Sequence, residues 1–381
     1  MEVVALADVC EVIAGQSPPS STYNNTKDGM PFFQGKADFG ELYPITRMWC
    51  SEPRKISFPN DILISVRAPV GPTNINSVKA CIGRGLSAIR CSGRIQQKFL
   101  LHFLRFNEHK IADKGTGSTF KAITQKELKS LQIPLPPLAE QQKISAILDA
   151  ADTLRQKDQQ LIDHYTTLSQ SLFLEMFGDP VTNPKGWKTL VLKDMIEFLT
   201  SGSRGWAKYY SEVGNLFLRI QNIGKNRLLL NDVTLVTPPV NAEAKRTKVE
   251  AGDILLSITA DLGRTAVIPI DFPQAYINQH LAIIRLKAKY LPYYVSEYIS
   301  SVGGERQFMQ LDKGGVKAGL NFSDIKSLNI PNPPITLQNQ FAERIQQIEA
   351  QKQQAQASLK HSEALFNSLL QRAFSGELSS P

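Results

Sequence analysis

Three short segments of the 381-residue sequence carry residue types that catalytic sites use. Residues 331–335 (PNPPI) resemble the Asn-Pro-Pro-aromatic motif of adenine methyltransferases, but Ile335 occupies the position of the stacking aromatic ring. Gly35-Lys36 resembles part of a phosphate-binding loop that lacks its first glycine and its metal-binding hydroxyl. Asp232 with residues 243–245 (EAK) offers the residue types of a nuclease site. None of these patterns is complete, so the sequence predicts no catalytic residue, and a structural hinge is the better interpretation of residues 331–335.

Side chains suited to DNA are more plentiful, and they lie in turn-rich segments. Arg, Lys, Asn and Gln on loops can reach base edges while a scaffold holds them in place. The candidates in the first half of the chain are Gln34, Lys36, Arg47, Arg67, Asn74, Arg84, Ser118 and Lys121. Those in the second half are Arg204, Lys208, Arg219, Gln221, Asn222, Lys225, Arg227, Arg264 and Lys317. Each one alone fits a solvated surface residue, but as a set they are denser than a solvated face requires.

Composition indicates a folded protein, and the net charge is compatible with DNA binding but does not establish it. Hydrophobic residues make up 42% and charged residues 20% of the chain, which is typical of globular domains and excludes a disordered or fibrous protein. The length is sufficient for two domains of ordinary size. The formal net charge of +8 suits a polyanionic partner, although many proteins without such a partner are equally basic.

The sequence features that bear on cellular location predict a cytoplasmic protein. The first residues carry Glu2, Asp8 and Glu11 and lack the cationic start of a signal peptide. No apolar run approaches the ~18–20 residues that span a bilayer. The cysteines match no zinc-binding spacing, and the scattered histidines favour no metal site, so we expect reduced cysteines in the core: Cys10, Cys50, Cys81 and Cys91.

An internal repeat is the strongest signal in the sequence. Residues 131–137 (LQIPLPP) align with residues 328–334 (LNIPNPP), an offset of 197 that also carries Gln141 onto Gln338 and Phe177 onto Phe374. Upstream, residues 59–65 (PNDILIS) match 251–257 (AGDILLS), and residues 86–90 (LSAIR) match 281–285 (LAIIR). Because the period is close to half the chain, the sequence indicates a duplicated domain rather than a solenoid.

Each repeat combines a β-rich part with a long helix, which predicts an α+β fold. Short β-rich runs separated by Gly, Pro and Asn precede a proline-rich hinge and then a heptad-like helix. We predict β-rich domains at 1–135 and 179–332 (the first and second modules) and helical spacer regions at 136–178 and 333–381. Helices of this length must bury their apolar stripes, and antiparallel pairing with each other is the simplest solution. The predicted pairing residues are Ile144, Ile147, Leu154, Leu161, Tyr165, Leu168 and Leu172 of the first helix and Ile345, Ile348, Leu359, Phe366 and Leu369 of the second.

Four segments carry a family resemblance. Residues 133–144 (IPLPPLAEQQKI) resemble the hinge-and-helix segment of specificity (S) subunits of type I restriction-modification systems. So do residues 177–180 (FGDP) followed by 183–187 (NPKGW), and the C-terminal residues 369–378 (LLQRAFSGEL). Residues 115–120, followed by Ile123, are similar to the Thr-Gly-Ser-Thr segment of many members, whereas residues 314–319 in the second repeat depart from it.

The resemblance implies a non-catalytic, DNA-reading subunit. It implies two recognition domains that each read half of a bipartite double-stranded DNA site, with the paired helices setting the gap. It also implies two methyltransferase subunits that bring S-adenosylmethionine, and restriction subunits that use ATP and Mg²⁺, so this chain itself is expected to bind no cofactor. Two alternatives stay open at this stage: a DNA adenine methyltransferase or nuclease with drifted motifs, and a coiled-coil adaptor that does not bind DNA.

Overall fold

A computed structural model of the chain describes residues 2–115, 122–230, 232–311 and 319–379. It contains two β-rich modules, each followed by a helix of about forty residues, as the repeat predicts. The chain forms two compact units: residues Met1–Gln160 with Gln356–Pro381, and residues Leu161–Ala355. Each long helix is therefore divided between the two units. The predicted domain boundaries after residues 135, 178 and 332 lie between regular elements and stay predictions.

In the residues that the structure describes, the first module has three sheets and four short helices. Its strands are β1 (Glu2–Ala5), β2 (Cys10–Ala14), β3 (Tyr23–Asn24), β4 (Met30–Phe33), β5 (Trp49–Cys50), β6 (Ile56–Ser57), β7 (Ile62–Ser65), β8 (Thr73–Ile75), β9 (Ala80–Ile82), β10 (Leu86–Cys91) and β11 (Gln132–Leu135). Its helices are α1 (Leu6–Val9), α2 (Gln97–Phe106), α3 (Glu108–Asp113) and α4 (Gln125–Lys129). The sheet orders are β2-β10-β7-β8, β3-β5-β4-β9-β6 and β1-β11, and the last of these pairs the first strand of the module with its final one.

The central strands of this module are buried on both faces. Ile62, Leu63 and Ile64 on β7 are fully buried, as are Leu86 and Ile89 on β10. This explains why these runs read as continuous apolar stretches rather than as alternating ones. Cys10, Cys50 and Cys81 are buried thiols and Cys91 is half-buried.

The second module repeats two of these three sheets and differs in the strand order of the third. After α5 (Leu138–Phe177), its strands are β12 (Thr189–Val191), β13 (Ile196–Ser201), β14 (Tyr210–Ser211), β15 (Asn215–Leu218), β16 (Thr234–Val236), β17 (Ile254–Ser257), β18 (Thr265–Val267), β19 (Ala275–Ile277), β20 (Leu281–Leu286) and β21 (Asn329–Pro331). Its helices are α6 (Leu192–Met195), α7 (Ala242–Thr247), α8 (Pro292–Ser300), α9 (Val302–Leu311) and α10 (Phe322–Ser327), followed by α11 (Ile335–Ser375). The orders β13-β20-β17-β18 and β12-β21 reproduce those of the first module, whereas the third sheet is β14-β16-β15-β19.

A duplicated ion pair shows that the two repeats are similar in structure as well as in sequence. Arg90 on β10 binds the buried Asp61 through two nitrogens at 2.9 Å, and Arg285 on β20 binds the buried Asp253 at 2.7 and 2.9 Å. These residues occupy matching places in the aligned segments. Hydrogen bonding to the carboxylate, against the effect of burial, raises the pKa of both arginines.

The long helices pair antiparallel, and this pairing is visible in each unit taken by itself. In the first unit, Ile144 and Leu148 of α5 share a core with Leu370 and Ala373 near the end of α11. In the second unit, the ring centroids of Phe173 and Phe177 lie 5.8 and 5.2 Å from that of Phe341, near the start of α11. The start of each helix therefore lies beside the end of the other.

The structure corrects the predicted contact stripe of α5. Ile144, Tyr165 and Leu172 are buried or half-buried, but four predicted pairing residues are 40–45% exposed: Ile147, Leu154, Leu161 and Leu168. The buried heptad positions instead include Leu148, Asp158 and Ile162. The prediction for the four exposed residues is wrong because aliphatic spacing alone selected a stripe on the outer side of the helix.

The predicted pairing residues of α11 do lie on its buried stripe, and we call the buried stripe of each long helix its seam. Ile345 is buried, and Ile348, Leu359, Phe366 and Leu369 are half-buried, while Lys352 and Ser362 occupy buried seam positions between them. Subtracting the 197-residue repeat offset from the α11 positions gives the buried heptad of α5, for example Ile345 to Leu148 and Leu359 to Ile162. The two seams are therefore equivalent surfaces of the repeat.

Candidate nucleic-acid interface

Four loops of the first module meet where β2, β4, β7 and β9 end. Backbone hydrogen bonds tie them together: Gly83 N–H to Phe33 O at 2.8 Å, and Val66 N–H to Gly85 O at 2.9 Å. The Arg84 N–H donates to Ser17 Oγ at 3.2 Å. We call residues 15–18, 34–38, 66–68 and 83–85 the first loop cluster. Its packing leaves no room at Gly15, where an added Cβ would lie 2.1 Å from Gly83 O.

The first loop cluster brings together most of the predicted DNA-contacting residues of its module. Gln34, Lys36, Arg67 and Arg84 are exposed on it. Arg47 joins them from the neighbouring segment, because its Nη1 donates to Ala37 O at 3.1 Å. The result is a surface with several cationic groups on a rigid β scaffold, which suits a phosphate-rich ligand.

The second module builds the same cluster on the same backbone connections. Asn278 N–H donates to Leu218 O and Ile258 N–H donates to His280 O, both at 3.0 Å. We call residues 202–205, 219–222, 258–260 and 278–280 the second loop cluster. Here too a glycine is required, since a Cβ at Gly202 would lie 2.0 Å from Asn278 O.

The second loop cluster carries different side chains from the first. Arg204 and Gln221 are exposed, and Arg219 is half-buried. The side chains of Arg219 and Gln221 both donate to Asp232 Oδ2, at 3.5 and 3.0 Å. Lys208, on the 3-10 turn that follows, lies 5.0 Å from the centroid of the Tyr209 ring. The cluster thus combines cationic groups with an amide and a carboxylate.

His280 also lies in this cluster, and it is not among the DNA contacts predicted from the sequence. His280 Nδ1 lies 2.7 Å from Thr259 Oγ1, and its Nε2 lies 2.9 Å from Gln279 Nε2. Sequence reasoning treated the histidines as scattered structural residues. The alignment of residues 86–90 with 281–285 was the available signal, because it sets Arg84 and Gly85 against Gln279 and His280.

Three predicted DNA contacts of the second module lie outside the second loop cluster. Lys225 forms an ion pair with Glu305 of α9, and Arg264 forms one with Asp261. Arg227 is half-buried beside Gly224. The loop that carries Lys225 and Arg227 is fastened to α8, because the Asn226 amide donates to Glu297.

Two predicted contacts are loop clamps rather than groups free to reach DNA. Asn74 is 1% exposed and its amide bonds Gly40 N–H and Gly40 O at 3.1 Å. Asn222 is also 1% exposed; it accepts from Arg219 N–H at 2.9 Å and donates to Leu229 O at 3.0 Å. The prediction of a DNA contact for these two is wrong in this conformation, because their polar atoms are buried and already bonded. Ser118, Lys121 and Lys317 lie outside the described residues.

The segments with catalytic resemblance have structural roles. Asn332 Oδ1 accepts from the buried Gln338 at 3.2 Å at the entry to α11, as a hinge would require. Lys36 lies in a 3-10 turn that Asp38 caps, since Asp38 Oδ2 accepts from Gln34 N–H at 2.7 Å. Within residues 2–115, 122–230, 232–311 and 319–379, no group of three or more His, Cys, Asp or Glu is placed to hold a metal ion. In the same residues no helix is long and apolar enough to cross a membrane.

Comparison with known proteins defines the class. Residues 1–163 and 184–361 each match the type I restriction modification DNA specificity domain, so the chain belongs to this family. Its members are specificity subunits, which are non-catalytic because catalysis lies in other subunits.

Individual relatives and solved structures agree with that assignment. The EcoBI specificity subunit of Escherichia coli is 22% identical over 98% of this chain and 85% of its own length. The putative MjaX specificity subunit of Methanocaldococcus jannaschii is 48% identical over 156 residues, which is 40% of this chain and only 37% of that protein. The S subunit of a type I system from M. genitalium shares the fold with a TM-score of 0.67 at 15% identity, covering 98% of this chain and 96% of the other.

Proposed function

We propose that this chain reads a bipartite DNA target, with each loop cluster contacting one half-site. The observation that carries the proposal is the repetition of one backbone arrangement with different polar side chains on it. Loops held by a rigid scaffold can change their recognition chemistry without changing the fold. Two such clusters in one chain give two half-sites that need not be related in sequence.

In this proposal the paired helices set the separation of the half-sites. α5 and α11 contain 40 and 41 residues. At 1.5 Å per residue a helix of this length extends about 60 Å. A continuous helix pair of that kind is stiff enough to fix the number of base pairs between two contacted segments.

The chemistry would belong to partner subunits. Two methyltransferase subunits would bring S-adenosylmethionine and methylate adenines, and restriction subunits would bring ATP and Mg²⁺. The chain itself would bind double-stranded DNA and no cofactor. Its cytoplasmic location stays a prediction.

The modest charge of the chain favours cooperation with those partners in binding. A net charge of +8 distributed over two modules neutralises few phosphates. We expect the isolated chain to bind duplex DNA weakly and in a salt-sensitive manner, and the complex with methyltransferase subunits to bind tightly and specifically.

A selection experiment tests this function directly. The chain, copurified with its methyltransferase subunits, is incubated with a random pool of duplexes and S-adenosylmethionine, and the methylated duplexes are sequenced. We expect two specified half-sites separated by a fixed number of unspecified base pairs. Methylation by the chain alone would favour the enzyme alternative. If the methyltransferase subunits gave the same methylated sequences without the chain, the adaptor alternative would be favoured.

A further inference from the structure

Among the positions at which the two loop clusters differ, three correspond directly in the aligned segments. Arg67, Arg84 and Gly85 of the first cluster correspond to Thr259, Gln279 and His280 of the second. The correspondence is fixed by hydrogen bonds, since Val66 N–H to Gly85 O in one module matches Ile258 N–H to His280 O in the other. It is also fixed by two isolated β-bridges, Arg67 with Ala122 and Thr259 with Gly319.

The first cluster presents guanidinium groups at two of these positions. Arg67 and Arg84 are exposed, and Arg84 uses its backbone N–H, not its side chain, to join the loops through Ser17. A guanidinium fork matches the O6 and N7 acceptors of guanine in the major groove. Gly85 adds no side chain that would compete for the same space.

The second cluster presents an amide that contacts the ring of a neighbouring histidine. His280 is held by Thr259 Oγ1 at 2.7 Å and contacts Gln279 Nε2 at 2.9 Å. Its backbone N–H is held as well, by Asn278 Oδ1 at 3.2 Å. An amide nitrogen has two hydrogens, so the Gln279 side chain keeps one N–H and its oxygen available. That donor and acceptor match N7 and N6 of adenine.

We propose that Arg84 reads a guanine in one half-site and that Gln279, positioned by His280 and Thr259, reads an adenine in the other. This inference rests on the proposed function, because it assigns bases to the two clusters. It predicts which chemical change at each position will alter which half-site. A bidentate contact of this kind discriminates by about 10- to 100-fold against the wrong base.

Reciprocal substitutions in the complete complex test the assignment. R84Q should lower the guanine preference at one position of one half-site by about 10- to 100-fold, while the other half-site is unchanged. Q279R should change one position of the other half-site from adenine toward guanine. H280A should weaken the adenine preference at that same position, as expected of a positioning residue. K326A, on the exposed face of α10, is the control and should change neither half-site.

The readout is the sequence of duplexes methylated from a random pool. A folded variant without methylation is scored instead by binding of the complex to duplexes with single base changes. Unchanged discrimination in R84Q and Q279R, or a change in the wrong half-site, would overturn the inference. A wild-type complex that selects no sequence at all would instead overturn the proposed function.

Discussion

Ser362 donates a hydrogen bond to Asp158 over 2.8 Å, joining residues 204 positions apart in the middle of the helix pair. Ser358 donates to the other carboxylate oxygen at 3.0 Å. Asp158 is 8% and Ser362 3% exposed, so this is a buried carboxylate whose two oxygens each receive a hydroxyl donor. In the repeat, Ala355 stands in place of Asp158, which makes the contact specific for α5 against α11.

Removing both donors should therefore destabilise the helix pair. We expect the double variant S358A/S362A to lower the free energy of unfolding of the chain by about 2–4 kcal/mol, because a buried charge loses its hydrogen bonds. Adding D158L should restore much of this loss, since no charge then remains. Urea unfolding followed by circular dichroism measures the effect, with S368A on the exposed face of α11 as the control. Equal stability of the double variant and the wild type would contradict the role given to Asp158.

The same contact bears on self-association of half the chain. A fragment of residues 1–180 has an unpaired seam and should dimerise through two antiparallel copies of α5. In that dimer the positions of Ser358 and Ser362 are taken by Leu161 and Tyr165, so Asp158 loses one hydroxyl donor and faces an aliphatic group. D158L should tighten the dimer by about 10-fold or more, measured by sedimentation equilibrium. A monomeric fragment at tens of micromolar, or a weaker dimer for D158L, would speak against this pairing.

The duplicated Arg–Asp pair predicts a sharp contrast between two neighbouring carboxylates. Arg285 contacts both the fully buried Asp253 and the exposed Glu250, the latter at 2.8 Å. D253N should cost about 3–5 kcal/mol in the free energy of unfolding, because a partly buried guanidinium loses its charge partner. E250Q, on the same arginine, should cost under about 1 kcal/mol, since exposed ion pairs contribute little. Similar losses for both variants would show that burial does not set the strength of these contacts.

Stability of the second unit should depend on the protonation of Glu297. Burial raises the pKa of this α8 carboxyl to about 7, with Glu349 of α11 also raising it and Asn226 and Lys352 lowering it. The folded state therefore holds a proton that the unfolded chain releases near pH 4.5, so this contribution is present at low pH and is lost as the pH rises through about 7. Lowering the pH from 8 to 5 should stabilise the wild type relative to E297Q by up to about 3 kcal/mol. The melting temperatures of both proteins across this range measure the difference, with E305Q as the matched control. Parallel curves for the wild type and E297Q would contradict it.

The sequence was sufficient for the repeat, the two modules and the long helices, because these depend on local pattern. It failed at the seam of α5, where Asp158 is buried and Leu154 and Leu161 are exposed. Burial of Asp158 depends on serines 200 and 204 residues away, which no local hydrophobic pattern contains. The repeat offset applied to the α11 stripe would have given the correct seam.

The loops were predictable in composition but not in the role of each residue. Asn74 and Gln34 are both predicted DNA contacts, yet Asn74 lies on β8 and clamps Gly40 from a buried position, whereas Gln34 is exposed on a loop. Which role a residue takes depends on the path of the folded loop. His280 was missed for the same reason, since only the fold brings it against Thr259.

A map of modified adenines tests whether the two modules read two half-sites at a separation set by the helices. The map is made in a host that expresses the methyltransferase subunits with either the wild-type chain or a variant with seven residues added to both helices, after Gln160 and after Ala355. One heptad keeps each seam in register and adds about 10 Å of helix, close to three base pairs at ~3.4 Å per pair. We expect a bipartite motif for the wild type, and the same two half-sites with about three more unspecified pairs for the variant. A continuous motif in the wild type, or an unchanged gap in a folded and active variant, would contradict it.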